Sequence, residues 1–354
     1  MDIGIVGLAA SGKTTLFELL TTSRSDAARR DATAVGIARV PDARLDSLSA
    51  MYRPAKTTPA TIRYLDVPGL PEEHRAEFNL PELRTADVLM IVVRAFSSDA
   101  VPHPLQTIDP LRDLARISEE FLIQDLVQVE RRLERLAKDL GKRKDPVLAV
   151  EQATLERCRA CLEAERPLRE ESFTSEEHKR LRGFTFLSLK PALVVVNLDE
   201  SDPAADPFTE PAWDPWLQRP QMAFTRSCAT LEGELAELEG DDAAAFMDDL
   251  GLADRAVDRI IQESYRLLGL ISFFTVGEDE CRAWSIPAGT TAVDAAGVIH
   301  SDIQRGFIRA EVVDYRELLD AASLAACRQR GTLRLEGKTY VVQNGEVVHF
   351  RFNV

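Results

Sequence analysis

The 354-residue chain is poor in cysteine, in aromatic residues and in long apolar runs. It has five cysteines, an odd number without an extracellular-type framework, which argues against a disulfide scaffold and for a reducing compartment. The longest apolar runs, such as VLMIVVRAF at 88–96, are too short to span a bilayer, and the amino terminus lacks signal-peptide features. We therefore expect a cytoplasmic protein without a membrane partner.

Basic charge is scarce as well, with 43 Lys and Arg against 58 Asp and Glu and a formal net charge of −15. This balance argues against general nucleic-acid binding. One helical segment is a local exception, and we call its basic residues the basic tip: Arg131, Arg132, Arg135, Lys138, Lys142, Arg143 and Lys144. The basic tip is either a solvated face or a contact for an acidic partner such as an RNA backbone.

The pair Cys158 and Cys161 has C-x-x-C spacing. No second pair and no histidine cluster at zinc spacing accompanies it in the sequence. Cys158 also continues a helical apolar seam with Leu155 and Leu162, which favours a place in a helix core over a metal or redox role.

Apolar runs that end in loops alternate with helical segments along much of the chain. The runs are DIGIVGL at 2–8, TIRYLDVPGL at 61–70, ADVLMIVVRAF at 86–96 and PALVVVNLDE at 191–200. Continuous apolar strands of this kind are typical of parallel sheets covered on both faces. The pattern predicts an α/β, doubly wound sheet with its ligand at the carboxyl ends of the strands.

Two further segments interrupt or follow this sheet domain, which we place at 1–112 and 183–274. Leu126, Val129 and Leu133 begin a three-and-four spacing that predicts an antiparallel helical hairpin, inserted at 113–182. Short strands and glycine turns then predict a separate α+β domain at 275–354. Within it, Asn344-Gly345 between two alternating runs predicts a β-hairpin.

The stretch GLAASGKT fits the phosphate-binding pattern G-x-x-x-x-G-K-[ST] between a predicted strand and a predicted helix. Backbone N–H groups of such a loop point at phosphates, a lysine neutralises the β- and γ-phosphates, and a hydroxyl binds Mg²⁺. Lys13 and Thr14 take these two roles. The predicted phosphate-binding residues are Gly7, Ala10, Ser11, Gly12, Lys13, Thr14 and Thr15.

Asp66-Val67-Pro68-Gly69 ends the second apolar run. In a P-loop protein such an aspartate holds Mg²⁺, usually through water, and the glycine N–H contacts the γ-phosphate. Asp66 is thus a predicted metal ligand with Thr14, and Gly69 a predicted nucleotide contact. The alternative is a plain strand-ending turn, for which Pro-Gly is equally suited.

Asn197-Leu198-Asp199-Glu200 follows the apolar run at 191–196, where a GTPase would place Asn-Lys-x-Asp to bind guanine. Glu200 could accept from guanine N1–H and N2–H₂, yet Asn197 could also pair with the adenine edge. The chemistry of these residues leaves the purine open.

From end to end the chain resembles the YchF/Obg-like ATPases, a family of P-loop proteins. The resemblance rests on VGIARVPDARLDSL, DVPGL, VVRAF, KPALVVVNLDE and SCATLEGELAEL, and most specifically on LLGLISFFTVGEDECRAWSI, AAGVIHSDIQRGFIRAEVVDY and EGKTYVVQNGEVVHFRFNV. It implies an ATPase-type switch protein with a G domain, an inserted coiled coil and a C-terminal TGS domain, a β-grasp module. Contact with the ribosome or a translation factor and a role in stress response are implied as well.

The resemblance also implies roles for single residues. The Asn-x-x-Glu form at Asn197 and Glu200 is similar to the family's altered base-binding motif, which favours ATP over GTP, with Leu198 beside the adenine. Ser227 and Cys228 fall where the base-side loop after the next strand is expected.

Hydrolysis in the resembled family does not use a glutamine after D-x-x-G, and here that position is Leu70. A histidine in the loop after VVRxF is the family's candidate for assisting water attack, and His103 matches it. An imidazole can position or polarise water near neutral pH. His103 and Lys13 are therefore the predicted catalytic residues.

This chain departs from the family pattern at several points. Ala9 and Ala10 replace Pro and Asn, and that asparagine is associated with monovalent-cation binding in related P-loop proteins. The first switch segment lacks the family pattern, so Thr33 is only the nearest candidate for a further Mg²⁺ ligand, and the segment after DVPGL is shorter. We expect slow ATPase activity, with a nucleotide-binding scaffold of little turnover as the alternative. A small-molecule kinase sharing only the P-loop lacks an acceptor-binding motif.

Overall fold

The computed structural model describes residues 1–21, 33–67, 80–142, 145–238 and 240–353. The chain divides into two compact units, one formed by Met1–Gly36 and Arg63–Ile260 and the other by Ile37–Ile62 and Ile261–Val354. Within the described residues, none of the helices combines the length and the apolar character needed to cross a membrane.

The strands and the helices of the structure are numbered in chain order. The strands are β1 (Asp2–Val6), β2 (Ala34–Arg39), β3 (Lys56–Thr58), β4 (Thr61–Asp66), β5 (Val88–Ala95), β6 (Ala192–Leu198), β7 (Met222–Ser227), β8 (Leu270–Thr275), β9 (Glu280–Pro287), β10 (Phe307–Asp314), β11 (Arg334–Glu336) and β12 (Glu346–Phe352). The helices are α1 (Lys13–Thr21), α2 (Ala43–Tyr52), α3 (Leu80–Thr85), α4 (Pro110–Lys142), α5 (Pro146–Glu163), α6 (Ser175–Leu181), α7 (Asp214–Leu217), α8 (Ala229–Glu237), α9 (Gly240–Asp249), α10 (Ala256–Leu267), α11 (Ala292–Ile299), α12 (Ser301–Arg305), α13 (Tyr315–Ala321) and α14 (Leu324–Arg330).

The first sheet has the strand order β2-β4-β1-β5-β6-β7, and the neighbours from β4 to β7 pair in parallel. Its central strands are apolar on both faces: every residue of β6 is buried, as are Val88–Arg94 of β5. Helices therefore have to cover both sides, and the carboxyl ends of the parallel strands share one edge. The predicted doubly wound α/β sheet is confirmed.

Between β5 and β6 the chain forms α4 and α5, which pack against each other through a shared apolar core. Val129, Leu133 and Leu136 of α4 are buried against Leu155 and Cys158 of α5. Pro146 stands at the start of α5, where Asp145 caps the helix by accepting a hydrogen bond from the Val147 N–H. The three-and-four spacing in the sequence thus corresponds to the buried face of this helical pair.

The second sheet is mixed, with the strand order β11-β10-β12-β8-β9-β3. Residues of α11 pack onto it, with Ala292, Ala295 and Ala296 buried against Phe273 and Val312.

The hairpin prediction at Asn344-Gly345 was wrong. Both β11 and β12 pair with β10, which lies between them. The asparagine and glycine instead precede β12, and the Gly345 N–H donates to the Ser272 carbonyl at 2.9 Å.

Residues 37–62, which the sequence analysis placed in the first domain, group with the carboxyl-terminal unit. The physical reason is a strand pairing between residues far apart in sequence: β3 pairs in parallel with β9 from Lys56↔Glu280 to Thr58↔Arg282. Arg44 of α2 adds a hydrogen bond to Asn344 Oδ1 at 2.9 Å. The second segment of this unit starts at Ile261 instead of at 275, so that β8 lies within the unit.

Candidate nucleotide-binding site

The described site residues lie at the carboxyl edge of the first sheet, at the ends of its parallel strands or in the segments that directly follow them. These segments begin at Gly7 after β1, Val67 after β4, Phe96 after β5, Asp199 after β6 and Cys228 after β7. In parallel sheets this edge is where ligands bind. The fold therefore brings together residues that are widely separated in sequence.

Residues 7–14, which we call the phosphate loop, lead from β1 directly into α1. The loop leaves no room for larger residues at its two glycines. A β-carbon at Gly7 would come 2.4 Å from the Val92 carbonyl oxygen, and one at Gly12 would come 2.2 Å from Asn197 Nδ2. Gly12 also has a φ of +93°, which L-residues rarely adopt. Both glycines of the motif are thus required by close approach.

The Lys13 side chain is buried, with 7% exposed, and its Nζ donates to the Leu8 carbonyl at 2.8 Å across the phosphate loop. Burial lowers the pKa of the Lys13 amine to about 8, while the charge of Asp66 acts in the opposite direction. A desolvated ammonium inside a loop of backbone N–H groups is stabilised when a polyanion binds there. The role of Lys13 toward phosphates stays a prediction, and this burial is compatible with it.

Thr14 and Asp66 lie side by side, since the Thr14 hydroxyl donates to Asp66 Oδ2 at 2.8 Å. Asp66 Oδ1 is buried and has no hydrogen-bond partner within the described residues. Burial raises the pKa of Asp66, against the opposing effects of the Thr14 hydrogen bond and the Lys13 charge. A cation beside this carboxylate would satisfy the free oxygen.

The donor set at Thr14 and Asp66 fits Mg²⁺, which prefers oxygen ligands and keeps water and phosphate in its coordination shell. No group of three or more His, Cys, Asp or Glu side chains in the described ranges could hold a metal by itself. A magnesium ion here would depend on oxygens from a bound phosphate chain.

Asn197, predicted to contact the base, ties three segments together. It is buried at the end of β6, where its Nδ2 donates to the Ser11 carbonyl at 3.1 Å and its Oδ1 accepts from the Ala229 N–H at 3.0 Å. A carboxamide keeps one further donor and one further acceptor position beyond these two bonds. Asn197 therefore holds the phosphate loop to the start of α8 and retains capacity for a base.

The other predicted base-side residues differ in exposure. Leu198, Ser227 and Cys228 are buried, and Ser227 pairs in register with Asn197 across β6 and β7. The Ser227 hydroxyl has no partner among the residues that the structure describes. Glu200 is exposed. Its predicted contact with a base stays a prediction.

Asp199 is a site residue that the sequence analysis did not single out. Its Oδ2 accepts from the backbone N–H and the hydroxyl of Ser97, both at 2.9 Å, and its Oδ1 accepts from Ser201. These hydrogen bonds, led by the Ser97 amide, hold the pKa of Asp199 well below its usual range. Asp199 therefore joins the loop after β6 to the loop after β5.

His103, the predicted catalytic histidine, is buried with both ring nitrogens engaged. Its Nδ1 accepts from the Leu105 N–H at 3.1 Å, and its Nε2 lies 2.9 Å from Asp113 Oδ2. A neutral imidazole that accepts at Nδ1 carries its proton on Nε2, so Nε2 is the donor to Asp113. In this arrangement the ring offers no free lone pair to water, and His103 would have to release the Leu105 N–H from Nδ1 to act as a base.

Four residues named in the sequence analysis lie in segments that the structure does not describe, and three further predicted residues lie at or near the phosphate loop and before β2. Gly69, Leu70, Arg143 and Lys144 lie outside the described residues. Thr33 lies just before β2, and its buried hydroxyl has no partner in the described part of the chain. Thr15 is exposed on the first turn of α1, while Ala10 adopts a left-handed φ of +59° in the phosphate loop.

The basic tip lies near the end of α4. Arg132 forms a bidentate ion pair with Glu151 of α5, with Nε donating to Oε1 at 2.7 Å and Nη2 donating to Oε2 at 2.9 Å. Arg132 therefore joins α4 to α5. Among the members of the basic tip that the structure describes, Arg131, Arg135, Lys138 and Lys142 are exposed.

Comparisons with known proteins identify the family. A family model described as a 50S ribosome-binding GTPase matches residues 2–150, and a YchF-GTPase carboxyl-terminal model, described as a protein of unknown function, matches residues 270–353. The chain is 39% identical over 366 residues to the "Ribosome-binding ATPase YchF" of Bacillus subtilis (strain 168), and the match covers all of both proteins. The chain belongs to the YchF/Obg-like ATPase family.

Other YchF/Obg-like proteins extend the comparison to eukaryotes. "Obg-like ATPase 1" of Caenorhabditis elegans is 33% identical over 368 residues, covering 100% of this chain and 92% of that protein. The structure of the Schizosaccharomyces pombe YchF GTPase matches with a TM-score of 0.87 at 30% identity, covering 99% of this chain and 97% of that one. These relatives carry both ATPase and GTPase names, so the names leave the purine preference of this YchF/Obg-like chain to be argued from its own residues.

Proposed function

We propose that this YchF/Obg-like protein is a Mg²⁺-dependent ATP-binding switch with slow ATPase activity that acts at the ribosome. The observation that carries the proposal is the phosphate loop with the buried Lys13 ammonium at its centre, next to the partnerless Asp66 Oδ1. These are the groups that a magnesium–triphosphate complex needs in a P-loop protein. Relatives named as ribosome-binding ATPases support the assignment.

Each residue of the site has a defined task in this proposal. The backbone N–H groups of the phosphate loop and the Lys13 ammonium bind and orient the phosphate chain. Thr14 and Asp66 would hold Mg²⁺, which neutralises charge on the phosphate oxygens when it is bound. Asn197 positions the phosphate loop against the base-side loop.

Adenine is the proposed base. Glu200 and Leu198 occupy positions where a guanine-specific protein has aspartate and lysine, and Leu198 presents no cation or donor to a guanine. The apolar surroundings of Leu198 and Cys228 suit the flat face of either purine, so the preference depends on the edge contacts.

Comparing the affinities for ATP and GTP tests the proposed base preference directly. Titration of the full chain with Mg-ATP and Mg-GTP in a calorimeter should give at least about tenfold tighter binding of ATP, a difference of about 1.4 kcal/mol. Equal affinities would contradict the adenine preference while leaving phosphate binding intact. No heat with either nucleotide would contradict the proposed function as a whole.

The basic tip is the proposed contact with ribosomal RNA. Its exposed residues give a cluster of positive charge on a chain whose net charge is −15. Binding through such a cluster weakens as salt rises, because phosphate contacts release counterions.

Charge reversal tests this contact in a ribosome pelleting assay at several salt concentrations. The tip variant carries Glu at Arg131, Arg135, Lys138 and Lys142. A matched control carries Glu at four exposed residues away from the basic tip, namely Arg159, Lys179, Arg180 and Arg182. We expect only the tip variant to pellet less with ribosomes, and its remaining association to depend less on the salt concentration. Equal pelleting of both variants would count against the tip.

A second candidate function is a nucleotide-binding scaffold with little hydrolysis, acting through the carboxyl-terminal unit and the basic tip. One observation favours it: both ring nitrogens of His103 are engaged, one with Asp113 and the other with Leu105. Multiple-turnover ATP hydrolysis separates the two functions. Turnover no faster than that of the uncatalysed reaction, in a protein that binds ATP, would favour the scaffold.

A further inference from the structure

Arg94 is a buried arginine in the otherwise apolar strand β5. Only 2% of the residue is exposed, and its guanidinium donates to three backbone carbonyls: Ala10 at 3.4 Å, Phe96 at 3.0 Å and Val101 at 2.9 Å. Its Cζ also lies 4.3 Å from the centroid of the Phe96 ring. A forked, planar donor can bond to several acceptors at once, which a lysine ammonium at this depth could not reproduce.

The surroundings of Arg94 do not neutralise its charge. Its acceptors are all neutral carbonyls, and no carboxylate of the described residues forms an ion pair with it. A buried cation without a carboxylate partner is costly to maintain. It becomes less costly when an anion binds nearby, and the Ala10 carbonyl belongs to the phosphate loop.

Arg94 and Asn197 act on neighbouring points of that loop. They are register partners at the carboxyl ends of β5 and β6. Their side chains donate to successive carbonyls, Arg94 to Ala10 and Asn197 to Ser11. Side chains of two adjacent strands, β5 and β6, therefore hold the phosphate loop through hydrogen bonds to its backbone.

The other two carbonyls bound by Arg94 belong to the segment 96–107, which carries His103. Val101 lies two residues before His103, and Ser97 fixes the start of the same segment to Asp199. The guanidinium is thus a direct bridge between the phosphate loop and the segment that positions the predicted catalytic histidine.

We propose that Arg94 is a positioning residue that couples the phosphate loop to the segment 96–107, so that triphosphate binding sets the position of His103. This inference rests on the proposed function in one respect: it takes the ligand of the phosphate loop to be a nucleoside triphosphate. Arg94 does not touch the nucleotide in this proposal. It acts through backbone carbonyls on both sides.

Hydrogen exchange on the full chain tests the coupling, with Mg²⁺ and a non-hydrolysable ATP analogue as the probe. In the wild type, amides of residues 7–16 and of 96–107 should both exchange at least about fivefold more slowly when the analogue is bound. Protection of 7–16 alone would overturn the coupling without any variant. Protection of neither segment would overturn nucleotide binding itself, and with it the coupling.

Arg94→Lys keeps the positive charge and removes the planar guanidinium, whose several N–H donors bind the three carbonyls. With the analogue, this variant should still protect 7–16 but lose the added protection of 96–107, and its kcat should fall about tenfold with KM changed less than about threefold. Arg169→Lys is the matched control, since Arg169 is also buried and donates to the Ser188 and Lys190 carbonyls, ahead of β6. The control should behave as the wild type. An Arg94→Lys protein that protects 96–107 like the wild type would overturn the proposal.

Discussion

Gly12 and Asn197 are in such close contact that a β-carbon on Gly12 would lie 2.2 Å from Asn197 Nδ2. The phosphate loop and the base-side motif are therefore fitted to each other, although they lie far apart in the sequence. The Asn197 amide can donate to the Ser11 carbonyl only because the next residue has no side chain.

Gly12→Ala tests this fit. The added methyl group would displace Asn197, and the φ of +93° would be strained by roughly 1–2 kcal/mol in any L-residue. We expect ATP affinity to fall at least about tenfold in calorimetry, equal to about 1.4 kcal/mol. Gly141→Ala in α4 is the control, because a β-carbon there meets no atom within 4 Å. Wild-type affinity in Gly12→Ala would contradict the assigned contact.

His103→Ala tests the catalytic role. If His103 releases the Leu105 N–H to position water, its loss should lower kcat at least about tenfold while ATP affinity changes less than about threefold. Steady-state hydrolysis and nucleotide titration measure the two quantities. His349→Ala removes an exposed histidine of β12 and should leave both unchanged. Equal turnover of the wild type and His103→Ala would eliminate histidine assistance.

Cys158 gives a prediction on thiol chemistry. Burial raises the pKa of the Cys158 thiol from its ordinary 9.0 to about 12. The folded chain therefore keeps this proton between pH 9 and 12 while the unfolded chain loses it, so the thiol favours unfolding increasingly as the pH rises above 9. Below pH 9 this destabilising effect is absent.

The rate of alkylation reports the low thiolate fraction and the burial of Cys158. At pH 8.5, iodoacetamide should label Cys158 at least about a hundredfold more slowly in the native protein than in urea, since the thiolate is the reactive form. Peptide mass spectrometry follows the site. Equal rates in both conditions would show that the helical core around Cys158 is open.

Local pattern was sufficient to predict the central strands of the first sheet and the helical pair, while phosphate binding by the loop at 7–14 stays a prediction. GLAASGKT places Lys13 and Thr14 by motif, and the spacing of Leu126, Val129 and Leu133 marks a buried helix face. The P-loop fold and the family are confirmed by the comparisons.

The missed features depend on contacts between distant residues. Arg94 gave one hint, a single charge inside an apolar strand, but its carbonyl partners at Ala10 and Val101 follow only from the fold. The pairing of β3 with β9 likewise joins segments that no local periodicity connects. Hydrophobic pattern specifies which face of an element is buried, and does not specify which distant element covers it.

The central claim is that the Lys13 ammonium holds a nucleoside triphosphate inside the phosphate loop. Calorimetric titration of Lys13→Ala with Mg-ATP tests it most directly, with Lys190→Ala as the control, because Lys190 is a partly buried lysine that donates to the Arg84 carbonyl. We predict that Lys13→Ala loses at least about a hundredfold in affinity, close to 2.7 kcal/mol, while Lys190→Ala binds like the wild type. Tight ATP binding by a folded Lys13→Ala protein would contradict the account.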